Sequence, residues 1–138
     1  MITEGYSGTP LAKKLGYKPG YKVLVINKPD NYRDLLIDLP PEVMFSEDRR
    51  GPFHLIHFFT RDKLELELEL PKLKELILKE GGMIWVSWPK KSSGVETSVD
   101  EAAVRTTGLL TGLVDIKICA VDKTWSGLKF VYRKNDRK

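Results

Sequence analysis

The chain has 138 residues, about the length of one globular domain, and we expect a single domain over residues 1–138. Hydrophobic residues make up 41% of the sequence and charged residues 30%, which excludes global disorder. No apolar run approaches the roughly 18 residues of a membrane span, and the opening segment lacks a signal peptide's apolar stretch. The net charge of +4 only mildly favours the binding of nucleic acid.

The first part of the chain predicts two helices and two strands. Leu11–Leu15 forms a short helix after Thr9 and Pro10, and Gly16 stops it. Tyr21–Asn27 is a nearly continuous run of large apolar residues, typical of a strand buried on both faces. A second short helix ends at Ile37, and Glu42–Phe45 forms a short second strand.

The middle of the chain predicts two further buried strands, Phe53–Phe59 and Met83–Trp88. The segment Leu64–Leu70 between them alternates leucine and glutamate, which by itself favours a half-exposed strand. We favour a helix, because two neighbouring parallel strands need a crossover of about a dozen residues. Pro71 lies inside that helix and predicts a kink or a restart.

The last part of the chain predicts a helix and a hairpin. Ser98 and Glu101 fit a capping box for a helix from Val99 to Leu110. Two strands, Val114–Val121 and Leu128–Tyr132, are spaced for an antiparallel pair. The whole pattern predicts an α/β fold, a three-layer Rossmann-like sandwich whose sheet is mostly parallel and ends in a C-terminal antiparallel hairpin.

Cysteine and histidine usage gives no sign of a metal site. Cys119 is the single cysteine, so it forms no internal disulfide, and we expect a reducing, cytoplasmic location and no membrane partner. His54 and His57 are three residues apart on a strand, which sends them to opposite faces. We therefore expect no metal, no catalytic residue, and a hydrogen-bonded structural histidine in each case.

Several segments resemble a known family. Ser7–Leu11, Lys13–Gly16, Trp85–Lys91 and Trp125–Val131 are similar to a family of short bacterial proteins with no settled activity. More broadly, the order of elements resembles a trimmed, degenerate S-adenosylmethionine-dependent methyltransferase fold, with Gly81–Val86 similar to that superfamily's fifth strand.

The resemblance is incomplete at the cofactor turn. Those methyltransferases have a glycine-rich turn after the first strand and an acidic residue after the second. Here the turn is Asn27–Asn31, which has no glycine and contains Pro29, and Glu47 is the acidic residue near the second strand. We therefore expect no cofactor.

Three loops should meet at the carboxyl edge of the sheet, where open α/β sheets bind ligands. They supply cations, hydroxyl groups and an aromatic ring that together suit a phosphate or carboxylate, although a solvated loop is the alternative. The candidate binding residues are Asn27, Lys28, Arg61, Trp88, Lys90, Lys91, Ser92 and Ser93.

The predicted function is a non-catalytic binding module for an anionic small molecule or a protein partner. Two alternatives are a divergent S-adenosylmethionine-dependent methyltransferase and a nucleic-acid accessory protein. Lys13, Lys14, Lys18 and Lys22 give the chain a basic beginning, but acidic residues elsewhere dilute it, and we do not expect nucleic acid as a partner.

Overall fold

A computed structural model describes residues 9–137 and shows one α/β unit. A six-stranded sheet has helices on both faces. The helices are α1 (Leu11–Leu15), α2 (Tyr32–Leu35), α3 (Lys63–Lys74) and α4 (Glu101–Thr111). The strands are β1 (Lys22–Ile26), β2 (Met44–Ser46), β3 (Leu55–Phe59), β4 (Met83–Pro89), β5 (Leu113–Ala120) and β6 (Trp125–Tyr132).

The strands lie in the order β2-β1-β3-β4-β6-β5. The first four strands are parallel to one another, and β6 pairs antiparallel with both β4 and β5. Strands β3 and β4 are buried at every position, as expected for parallel strands covered on both faces. The predicted three-layer Rossmann-like α/β fold with a C-terminal antiparallel hairpin is confirmed.

Alternating side chains of the central strands feed two separate cores. Ile56 and Ile84 face one core, which α3 and α4 cover. Leu55 and Trp85 face the other core, which α1 and α2 cover. This alternation follows from the period of two along a strand, and it places α1 and α2 together on one side of the sheet.

The leucine-glutamate segment is helical, which settles its ambiguity. Asp62 begins α3 by accepting hydrogen bonds from the backbone N–H groups of Leu64 and Glu65. Leu66 and Leu70 are buried four residues apart, as on one helical face, whereas Leu68 is exposed. The helix continues through Pro71 to Lys74, so of the kink or restart predicted there the restart is wrong, and the kink stays a prediction.

The predicted capping box at Ser98 is also wrong. Asp100 begins α4 by accepting a hydrogen bond from the N–H of Ala103 at 2.8 Å. The Ser98 hydroxyl instead accepts from the N–H of Lys63 at 2.8 Å, which holds the loop before α4 against the start of α3. The residue that caps α4 therefore comes two positions later than predicted, at Asp100.

Trp85 fastens α1 to the sheet. Its ring is fully buried, and its Nε1–H donates to the backbone carbonyl of Leu15 at 2.7 Å. Gly16 then ends α1 with φ 90°, a left-handed conformation that glycine adopts without strain. The carbonyl of the last helical residue therefore has a partner inside the core.

We expect Trp85→Phe to lower the free energy of unfolding by about 2–4 kcal/mol, because it leaves the Leu15 carbonyl without its donor and opens a cavity. Urea unfolding measures this loss. The matched control is Trp125→Phe, since Trp125 is only half-buried and its indole N–H has no hydrogen bond within the described residues. Equal losses in the two variants would contradict the role given to the Leu15 contact.

No helix within residues 9–137 combines the length and the apolar character needed to cross a bilayer.

Candidate functional site

The chain reverses direction across the sheet between β1 and β3. From β1 it passes to β2 on one side, and it then crosses to β3 on the other side of β1. The loops that leave β1 and β3 therefore diverge, and a crevice at their carboxyl ends is where open α/β sheets bind ligands.

A carboxylate joins the ends of these two strands. Asn27, just after β1, donates its Nδ2 hydrogens to the carbonyl of Phe59 at 2.9 Å and to Glu65 Oε2 at 3.1 Å. Thr60, just after β3, donates its hydroxyl to Glu65 Oε1 at 2.6 Å. Glu65 therefore fixes the carboxamide of Asn27, whose Oδ1 accepts no hydrogen bond from the part of the chain that the structure describes.

The turn after β1 offers backbone donors. Asn27 has φ 58°, the left-handed conformation that asparagine tolerates better than most residues. The N–H groups of Lys28, Asp30 and Asn31 donate no hydrogen bond within residues 9–137, and all three residues are exposed. Such a turn presents open donors to an oxygen-rich ligand.

A carboxylate with no partner among the described residues lies at the same edge of the sheet. β2 pairs with β1 in parallel, with Ser46 opposite Leu24, so Glu47 follows β2 at the same edge of the sheet as Asn27. Glu47 is exposed, and it forms no ion pair or side-chain hydrogen bond with any described residue. We call the group formed by Asn27–Asn31, Glu47, Thr60 and Glu65 the switch-point site.

A second group of candidate residues gathers at the end of β4. Trp88, Lys90 and Lys91 line a groove of about 540 Å³ together with residues 97–102. Arg61 lies at its margin, because its backbone carbonyl accepts from the N–H of Ser98 at 3.0 Å. Trp88 is almost fully buried, so its ring packs in the core and leaves little surface for stacking on a ligand.

The two serines of this loop differ. Ser93 donates its hydroxyl to the carbonyl of Lys90 at 2.6 Å and accepts from the N–H of Val95, so it shapes the loop. Ser92 is exposed and its hydroxyl makes no hydrogen bond with a described residue. The eight sequence-predicted residues therefore divide between two places, with Asn27 and Lys28 at the switch-point site and the others at or near the groove.

A chain of buried side chains crosses the core behind the switch-point site. Tyr17 Oη lies 2.7 Å from Tyr32 Oη, which lies 2.8 Å from His57 Nδ1, and His57 Nε2 lies 2.7 Å from Ser87 Oγ. Burial lowers the pKa of His57 to about 3, and burial also raises the pKa of both tyrosines. His57 is a neutral, hydrogen-bonded core residue, as the sequence predicts.

Sequence reasoning missed Thr60 and Glu65 as site residues. Glu65 belongs to the alternating leucine-glutamate segment, whose glutamates are typical of the solvent-exposed face of a helix. Its position in the first turn of α3, directly after a buried strand, is the signal that predicts a place at the carboxyl edge.

No family model matches the chain, and no curated protein matches it. Solved structures do. The ribosomal protein L11 methylase of Lactobacillus delbrueckii subsp. bulgaricus superposes with a TM-score of 0.57 at 11% identity, over 89% of this chain and 75% of that chain. A S-adenosylmethionine-dependent methyltransferase of Aquifex aeolicus gives a TM-score of 0.55 at 14% identity, over 87% and 86%.

The magnesium protoporphyrin IX methyltransferase of Synechocystis PCC 6803, with S-adenosylmethionine bound, gives a TM-score of 0.57 at 9% identity, over 89% of this chain and 74% of that chain. The chain has the fold of the S-adenosylmethionine-dependent methyltransferases. The resemblance to a family of short bacterial proteins stays a prediction, and its first motif begins at Ser7 and Gly8, outside the described residues.

These likenesses overturn the predicted main function. The sequence led us to a non-catalytic binding module for an anionic small molecule or a protein partner. That prediction is wrong, because the solved structures similar to this chain are methyltransferases, and they favour the methyltransferase alternative. The turn after β1 has no glycine, which led us away from that alternative, yet Asn27 adopts a left-handed backbone there with φ 58°.

Proposed function

We propose that the chain is a S-adenosylmethionine-dependent methyltransferase that binds its cofactor at the switch-point site. The observation that carries the proposal is the turn after β1. Asn27 holds it with φ 58°, and the N–H groups of Lys28, Asp30 and Asn31 have no acceptor within residues 9–137. The fold supports the same position, because ligands of open α/β sheets lie where the strand order reverses.

The residues at the site fit the polar groups of this cofactor. The open N–H groups of the turn suit its oxygen atoms. The Glu47 carboxylate suits ribose hydroxyls, which are donors. Pro29 removes one backbone donor, but the other N–H groups of the turn remain.

The cofactor supplies, when bound, a methyl group on a sulfonium sulfur, which an acceptor takes with its lone pair as S-adenosylhomocysteine leaves. The chain's own residues bind and orient. Glu65 accepts hydrogen bonds from Asn27 and Thr60 at the ends of the neighbouring strands β1 and β3, so these two side chains keep a fixed arrangement.

Isothermal titration calorimetry with S-adenosylmethionine and S-adenosylhomocysteine tests the proposal. We expect the wild-type chain to bind both. Glu47→Ala should lower the affinity about tenfold, because losing a charge-assisted hydrogen bond worth about 1.4 kcal/mol corresponds to that factor. Asn27→Gly keeps the left-handed backbone and removes the carboxamide, so we expect it to weaken binding without unfolding the chain.

The matched control is Glu80→Ala, since Glu80 is equally exposed but lies between α3 and β4, at the opposite edge of the sheet. It should bind both ligands as the wild type does. Absence of a heat signal at millimolar S-adenosylmethionine would refute the proposal. Equal losses of affinity in Glu47→Ala and Glu80→Ala would show that the cofactor does not bind at this edge of the sheet.

A further inference from the structure

A groove rich in lysine lies between α1 and the β5–β6 hairpin. Its volume is about 790 Å³, and we call it the lysine groove. The lining residues are Thr9, Lys13, Lys14, Lys117, Ile118, Cys119, Ala120 and Ser126. None of the lining residues that the structure describes is acidic, and three of them are lysines.

Two more lysines join the groove from its margin. Lys129 lies directly opposite Lys117 in the β5–β6 register. Burial lowers the pKa of Lys129, and the positive charges of Lys117 and Lys18 lower it further, which places Lys18 in the same field. Lysines from three separate segments of the chain therefore share one surface.

The groove has a fixed shape. Lys14 donates from Nζ to the carbonyl of Ala120 at 3.1 Å, which ties α1 to the end of β5. Trp85 holds the next residue of α1 through the Leu15 carbonyl at 2.7 Å. The carboxyl end of this short helix is thus fastened to both the hairpin and the sheet, and the lysines are held near one another before any ligand arrives.

Like charges placed opposite each other weaken a sheet. The Lys117 and Lys129 pair is such an arrangement, and the charge of Lys18 adds to it. A ligand that carries several negative charges would relieve this repulsion, and that relief would favour its binding.

We propose that the lysine groove binds the phosphate backbone of a nucleic acid. Five lysines, Lys13, Lys14, Lys18, Lys117 and Lys129, spread over α1, the turn after it and a hairpin, so they suit a chain of phosphates better than a single anion. Lysine contacts phosphate as a point charge, and no aromatic residue is among the lining residues within 9–137. We therefore expect binding that does not depend on base sequence.

The sequence alone gave the opposite expectation for nucleic acid, because the basic residues look diluted along the chain. In the folded chain Lys18 contributes to the same positive field as Lys117 and Lys129, although Lys129 follows it by more than a hundred residues. The groove also reaches the end of β5, which runs parallel to β4, so it opens towards the same edge as the switch-point site. Backbone binding nevertheless requires no methyl transfer.

Fluorescence anisotropy with labelled oligouridine and oligothymidine, titrated at several salt concentrations, tests the proposal. We expect binding of both that falls steeply with salt. The double variant Lys13→Gln with Lys117→Gln should lower the slope of log affinity against log salt by about 1.4, at roughly 0.7 for each lysine on a single strand. The control pair Lys63→Gln with Lys79→Gln changes the net charge equally, with both lysines exposed and outside the groove.

The proposal is supported if the control pair keeps its affinity and the groove pair loses affinity. A difference in affinity between oligouridine and oligothymidine would support it as well and would show which nucleic acid is preferred. Equal losses in both pairs would overturn it, as would no binding at low salt. Two competitors separate other sources of negative charge. The proposal would also be overturned if tripolyphosphate bound as tightly as the oligonucleotides. It would be overturned too if vesicles of anionic phospholipid bound more tightly than the oligonucleotides.

Discussion

Between pH 7 and pH 5 the free energy of unfolding is expected to fall by about 2 kcal/mol because of His57. Burial lowers the pKa of His57 to about 3 in the folded chain, against about 6.5 for an exposed histidine. Below pH 6.5 the unfolded chain takes up a proton that the folded chain does not. The stability is complete above that pH and is lost as the pH falls towards 3.

Urea unfolding at a series of pH values measures this dependence. The slope should approach about 1.4 kcal/mol per pH unit well below pH 6.5. His57→Gln should be less stable at pH 7, because Tyr32 and Ser87 lose a well-placed partner, but it should lack this slope.

His54→Gln is the matched control. His54 is only half-buried, stacks on Tyr21 with ring centroids 4.5 Å apart, and takes no part in the buried chain. This variant retains His57 and should keep the acid-dependent loss. A wild-type slope in His57→Gln would show that other groups cause the acid sensitivity.

We expect Gly108→Ala to lower the free energy of unfolding by about 3 kcal/mol. A Cβ atom at this position would lie 2.0 Å from Cε1 and 2.3 Å from Cζ of Phe130. The ring is fully buried between α4 and the sheet, so neither element can yield without disturbing the core. Thermal and urea unfolding measure the loss.

The cause can be separated from helix propensity, which favours alanine over glycine inside a helix. Phe130→Leu makes room at the contact, so the double variant Gly108→Ala with Phe130→Leu should lose less than the two single losses added together. Thr106→Ala, at an exposed position of the same helix, should change the stability little. Additive losses at Gly108 and Phe130 would refute the steric explanation.

The candidate site was only partly visible in the sequence. Asn27 and Lys28 follow a long apolar run, so a strand end and hence a place at the ligand edge can be read from them directly. Glu47 stood out as the acidic residue near the second strand, but its position beside β1 depends on the register of β2, with Ser46 opposite Leu24. The conformation of Asn27 depends on its contacts with Phe59 and Glu65, which are formed only after the strands pair.

The sequence by itself determined the fold class, because apolar runs, glycine stops and the spacing of a hairpin are local signals, each set by a few neighbouring residues. The tertiary structure alone decided what lies together. It placed Lys18 in the same positive field as Lys117 and Lys129. It also formed the hydrogen bond between Ser98 and the start of α3, and it buried His57 in hydrogen-bond contact with Tyr32 and Ser87. Contacts between residues far apart in the chain depend on strand order and register, and no local pattern of residues specifies them.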